Sequence, residues 1–140
     1  MILLDTNVLS ELMRGSEATG SVVAWVRRND RLLCIPSVAV GEIAYGVARL
    51  ADGRRKQSLE RALDVMLERF RSRTFSYDVL AAIECGSVLA AAEAQGRPMS
   101  LADAQIAATA RLARAALATR NVNDFSTTGL RLVDPWTATN

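Results

Sequence analysis

At 140 residues, half of them hydrophobic and none in a low-complexity stretch, the chain reads as one domain over 1–140 that buries about two-thirds of the surface its unfolded form exposes. No apolar run approaches the roughly 18 residues of a membrane span, and the opening Met-Ile-Leu-Leu-Asp-Thr-Asn has no basic leader, so a soluble cytoplasmic protein without a membrane partner is expected. A net charge of +2 is too small to make the whole molecule attract nucleic acid, and the absence of histidine excludes Ser-His-Asp and Cys-His nucleophiles, His-based zinc sites and histidine acid/base hydrolysis of RNA.

Ile2 to Asp5 is an apolar run ending in an acid and reads as a short buried strand with Asp5 at its tip; a helix from about Asn7 to Met13 follows and stops at Arg14-Gly15-Ser16. Ser21 to Asn29 has helical spacing, and Leu32 to Ile35 before Pro36 looks like a second buried strand. Ser37 is placed to cap a helix to Leu50, closed by Ala51-Asp52-Gly53. Leu59, Leu63, Met66, Leu67 and Phe70 make an amphipathic face over Arg54 to Phe70. Thr74 to Tyr77 is a short strand, Asp78 caps an Ala-rich helix through about Gln95, and Gly96 and Pro98 stop it. Ser100 begins a helix to Arg114, Ala116 to Thr119 is a strand leading to Arg120-Asn121, and Leu130 to Val133 is the last strand. Strands alternating with helices predict a parallel sheet covered on both faces, with the ligand site outside the carboxyl ends of its strands.

Cys34 and Cys85 lie in apolar segments without CxxC spacing and read as buried core thiols of a reducing compartment. Sixteen of the seventeen basic residues are arginine, Lys56 being the exception; arginine suits phosphate recognition, and solvated helix faces explain it equally well.

With no histidine, carboxylates and a hard metal ion are the leading means of hydrolysis. Each candidate acid also has an ordinary reading. Asp5 can be a helix cap, although Thr6 and Asn7 cap equally well, so it is not needed for that. Glu42 falls on the helix face with Val38, Tyr45 and Arg49, opposite Val40, Ile43, Ala44, Val47 and Ala51, and can be a solvated glutamate. Asp103 shares a close-packing face with Ile106, Ala107 and Ala110 and needs a partner there; with Ser100 it forms a capping box, and both roles are compatible. Asn121, Asn123 and Asp124 are ordinary turn formers past a strand end.

Taken in order, Asp5-Thr6-Asn7 after an N-terminal apolar strand, Gly41-Glu42-Ile43, Ala102-Asp103-Ala104-Gln105-Ile106-Ala107, and Thr119-Arg120-Asn121 through Asp124-Phe125 resemble the PIN domain. More narrowly they resemble the VapC toxins and FitB-like proteins of bacterial toxin–antitoxin pairs, over essentially the whole chain. The resemblance implies a three-layer α/β/α sandwich with a central parallel sheet of four or five strands. It also implies endonucleolytic cutting of RNA by Mg²⁺, with Mn²⁺ able to substitute, held by the catalytic acids matched to Asp5, Glu42, Asp103 and Asp124. Thr6 and Asn7 then orient the first acid and the water, with Thr119 and Asn121 in support. The expected partners are a VapB-like antitoxin that wraps the toxin and blocks its site, operator DNA reached only through that antitoxin, and a second copy of the chain. One departure bears on the fourth acid: many PIN domains carry aspartate where this chain has Asn121, and here the acid comes three residues later.

Other readings fit less well. A haloacid-dehalogenase-type phosphatase wants a second Asp where Asn7 stands, and both it and a receiver domain need a downstream lysine that Lys56 does not supply; GxxxxGK[ST] is absent. The remaining alternative is a PIN-like module that binds RNA or protein without cutting.

Overall fold

In the computed structural model, which describes residues 1–139, the N-terminal apolar run is β1 (Ile2–Leu4), fully buried at the centre of a five-stranded sheet. Its neighbours are β2 (Leu33–Pro36) and β4 (Ala116–Ala118), and the edges are β3 (Thr74–Phe75) and β5 (Leu132–Val133). All pairings are parallel and the order is β3-β2-β1-β4-β5. Central strands covered on both faces have no wet side, which is why Ile-Leu-Leu, Leu-Cys-Ile and Ala-Leu-Ala show no alternation. The chain proceeds from β1 to β2 on one side while β4 joins on the other, so the order reverses at β1, and the reversal opens a crevice beyond its carboxyl end.

Six helices flank the sheet: α1 (Thr6–Leu12), α2 (Gly20–Asn29), α3 (Ser37–Ala48), α4 (Arg54–Arg69), α5 (Val79–Ala94) and α6 (Leu101–Leu112). This is the expected three-layer parallel architecture. Its core joins Leu3, Leu4 and Ile35 of the sheet to Val8, Leu9, Val22, Ile106 and Phe125. On α4, Met66 is buried while Leu59, Leu63 and Leu67 are half-buried, the amphipathic face anticipated from their spacing. Ala104, Ala107, Ala108 and Ala110 of α6 are buried, because small side chains let this helix lie close to its neighbours.

Several local expectations change. Ser37 does not cap α3: Pro36, still extended, holds the cap position, and Ser37 Oγ instead accepts the Tyr77 N–H at 3.0 Å. A long-range donor outcompetes the local one. The buried stripe of α3 is Ala39, Ile43 and Val47, with Ala44 and Ala51 exposed. The edge strands are shorter than their apolar runs, since Tyr77 and Leu130 lie beyond the paired residues. Cys34 and Cys85 are buried and free, and burial pushes the Cys34 thiol above its ordinary pKa. Among the described residues no helix is long and apolar enough to cross a membrane.

Candidate active site

Asp5 follows β1 directly, and its N–H still reaches Ala118 O of β4 at 2.9 Å, so the sheet ladder fixes its backbone. The residue is buried, at 4 % exposure, and its carboxylate takes three hydrogen bonds: from Thr6 N–H to Oδ1 at 2.7 Å, and to Oδ2 from Thr119 Oγ1 at 2.7 Å and Asn7 Nδ2 at 3.2 Å. Asp5 is therefore the cap of α1 after all, because Thr6 and Asn7 are occupied elsewhere. Asn7 also donates to Thr119 Oγ1 at 3.3 Å and accepts the Arg120 N–H at 3.2 Å, which orients its amide from both ends.

Thr6 crosses from α1 to α3, its Oγ1 donating to Glu42 Oε1 at 2.7 Å. Glu42 is exposed, as its helical position suggested, and yet it is held. Asp103 sits in the first turn of α6, where its N–H donates to Ser100 Oγ at 3.2 Å, one half of the anticipated capping box. Past β4, residues Val122–Phe125 form a single 3₁₀ turn in which Asp124 N–H bonds Asn121 O at 3.0 Å. The Asn121 N–H meanwhile donates to Thr119 Oγ1 at 3.0 Å. The fully buried Thr119 hydroxyl thus ties Asp5, Asn7 and the Asn121 loop together, a hub that the motif contained without revealing.

Asp5 and Asp103 both feel neighbouring acids. Burial pushes Asp5 up to about 6 against the relief given by Thr119 and Thr6, and the charges of Asp103 and Glu42 add to the rise. Burial likewise raises Asp103, with further push from Asp124 and Glu42. Asp103 thus acts on Asp5 and feels Asp124, and Glu42 acts on both Asp5 and Asp103. None of the ion pairs among the described residues includes any of the four, so no arginine or lysine neutralises the cluster. Among the described residues no three acid or thiol groups converge into a preformed metal cage. The arrangement is an uncompensated anionic crevice made only of hard oxygen donors, chemistry that suits a small divalent cation.

A PIN-domain family model matches residues 2–129. The plasmid stability protein StbB of Pseudomonas syringae pv. tomato is 35% identical over 99% of this chain and 100% of its own length. The VapC ribonuclease Y4jK of Sinorhizobium fredii is 32% identical over 97% of this chain and 98% of its own. Among solved structures, FitAB bound to an IR36 DNA fragment superposes with a TM-score of 0.89 at 33% identity, covering 100% of this chain and 99% of that one. With this match over most of its length and a five-stranded parallel sheet flanked by helices, the chain belongs to the PIN-domain family.

Proposed function

We propose that the protein is a Mg²⁺-dependent endoribonuclease and the toxin of a VapBC-type toxin–antitoxin module. The observation that carries this reading is the crevice at the β1/β4 reversal, where burial and neighbouring carboxylates raise Asp5 and Asp103 and, among the described residues, no basic side chain pairs with Asp5, Glu42, Asp103 or Asp124. Asp5, Glu42, Asp103 and Asp124 would hold the ion. Thr119 and Asn7 fill Asp5 Oδ2 while Oδ1 accepts one N–H, which leaves Oδ1 an acceptor position for a cation. Thr6 keeps the exposed Glu42 turned toward α1. Asp124 shares a tight turn with Asn121, so it supplies the fourth charge while Asn121 offers a neutral oxygen. When bound, the ion lowers the pKa of water and stabilises charge on the pentavalent phosphorus. Water attack yields 5′-phosphate and 3′-hydroxyl ends without using the ribose 2′-hydroxyl.

Purified protein incubated with RNA should cut with Mg²⁺ or Mn²⁺, stop with a chelator and resume on adding metal, giving 5′-phosphate ends. Ends carrying 2′,3′-cyclic phosphate would overturn this mechanism. The absence of a preformed three-acid cage favours a second reading, an RNA- or protein-binding module that does not cut; metal-dependent cleavage by the wild-type protein removes it.

The similarity to FitAB supports an antitoxin partner through which operator DNA is reached. Two apolar recesses share Met13, one running along α4 past Val65 and Met66, the other past Ile43, Val47 and Leu59 to Thr6 and Glu42. An antitoxin segment lying in them would end at the acids. In this reading two copies pair through α5, whose Val79, Leu80 and Ile83 are exposed.

A further inference from the structure

Two arginines stand at opposite ends of the acid cluster. At the Asp124 end, a polar recess of about 270 Å³ is lined by Gly96, Arg97, Asn123, Asp124, Ser126 and Thr127. Arg97, exposed in the α5–α6 connection, donates from one guanidinium nitrogen to Asn123 O at 3.4 Å, and its remaining N–H groups have no carboxylate partner among the described residues. At the Asp5 end, Arg120 has its backbone N–H on Asn7 and its guanidinium stacked over Trp136, 5.1 Å from the ring centroid. The Trp136 backbone is itself fixed, its main-chain N–H donating to Asp134 Oδ1 at 2.9 Å and its carbonyl accepting from Ser21 Oγ at 3.3 Å. Arg14, Arg69, Arg71 and Arg111 all pair with carboxylates. Arg97 and Arg120 are among the twelve of sixteen that do not among the described residues, and they are placed by the acids, Arg97 lining a recess with Asp124 and Arg120 bonded through its backbone to Asn7. Each is braced by a neutral group that leaves N–H edges and full charge available.

We propose that Arg97 and Arg120 are phosphate-positioning residues, each holding one backbone phosphate of single-stranded RNA on either side of the bond placed over the acids. The assignment rests on the ribonuclease reading and adds how an anionic crevice retains a polyanion. Repulsion between carboxylates and the chain of phosphates is offset at the two flanks rather than at the centre. A guanidinium suits the role because it meets phosphate oxygens with a planar fork. The polar recess beside Asp124 has room for a phosphate group. Neither arginine touches the reacting atoms.

The test compares wild type, Arg97→Ala, Arg120→Ala and Arg97→Lys with Mg²⁺ and a fluorescein-labelled single-stranded oligoribonucleotide of mixed sequence. Each alanine variant should raise KM about tenfold, the loss of one charge-assisted contact, with kcat nearly unchanged. In an Asp103→Asn background, which binds without cutting, each should reduce the slope of log K against log salt by about 0.7, the release expected for one single-strand phosphate contact. Arg97→Lys should recover most of the slope and part of the KM, which a purely structural brace on Asn123 would not. Unchanged KM and slope in both alanine variants, with wild type binding and cutting, would overturn the inference. Wild type that binds RNA with arginine-dependent affinity and never cuts would leave it standing and overturn the ribonuclease reading. Wild type that binds no RNA would overturn both.

Discussion

Asp5 carries two duties in one carboxylate: it closes the N-terminus of α1 and supplies charge to the crevice. Because its folded pKa of about 6 lies above the ordinary value of 3.8, the ionised form is disfavoured by folding. The sign follows. Above pH 6 the penalty is present in full, and it disappears as pH falls toward 4 because the folded state takes up the proton first. At pH 7 the penalty is on the order of 3 kcal/mol. Asp5→Asn should therefore abolish cutting while stabilising the metal-free protein, since asparagine also caps helices. Urea midpoints measured with chelator at pH 7 and pH 5 should rise for wild type relative to the mutant on acidification; a gap independent of pH would contradict this account. At the fourth position, Asp124→Asn should weaken metal-dependent cutting more than Asn121→Ala does, and less than Asp5→Asn. Titrating metal into the three purified mutants orders them, and a silent Asp124→Asn would reduce the site to three acids.

The elements differ in how much of their setting was written locally. β1 and β2 were recognisable as buried strands because a strand enclosed on both faces must be apolar throughout. β3 and β5, two residues each at the edges, borrow their definition from neighbours and so ran short of their apolar segments. Asp78 and Ser100 cap their helices from within their own sequence, whereas Ser37 was claimed by Tyr77, a partner forty residues away that no local pattern encodes. The candidate acids were chosen by order and residue type; the Thr119 hub and the Thr6–Glu42 bridge could not be, because each depends on which strand or helix lies alongside. The link between α1 and α2 shows the same dependence. Glu11, buried, accepts the Thr19 N–H at 2.6 Å and an Arg14 N–H at 3.3 Å, and the Thr19 backbone bond leads in holding its carboxyl below the usual range. A depressed carboxylate stabilises the fold at neutral pH and loses that contribution as pH falls through its folded pKa. Glu11→Gln should cost roughly 1 to 2 kcal/mol at pH 7, the range for a charge-assisted hydrogen bond, and the gap should close in acid. Denaturant melts of the two proteins at pH 7 and pH 3.5 check it.

Across the whole molecule, the modest net charge of +2 hides a separation. The acids gather beyond the carboxyl ends of the strands, while Arg31, Arg73, Arg114 and Arg131 each come just before a strand. Arg73 is spent on backbone carbonyls of Asp30 and Leu33, and Arg69 on the Asp30 carboxylate at 2.5 Å, so part of the basic rim ties α4 to the start of β2. A run of exposed apolar residues, Val79, Leu80 and Ile83, lies elsewhere, on α5. If two copies meet there, Ile83→Asp should give monomers in sedimentation velocity at micromolar concentration with a melting temperature close to wild type, since Ile83 is 65% exposed and lends little to the core. A dimer unchanged by the substitution would move the contact to another face. The double role of Asp5 reaches beyond the single molecule. Aspartate and asparagine codons differ by one nucleotide, and asparagine there keeps the helix closed while removing the charge that the chemistry needs. If Asp5 carries the proposed chemistry, a cell harmed by this protein is one point mutation from a form expected to fold and to be harmless, a short escape route that populations under selection would be expected to take repeatedly.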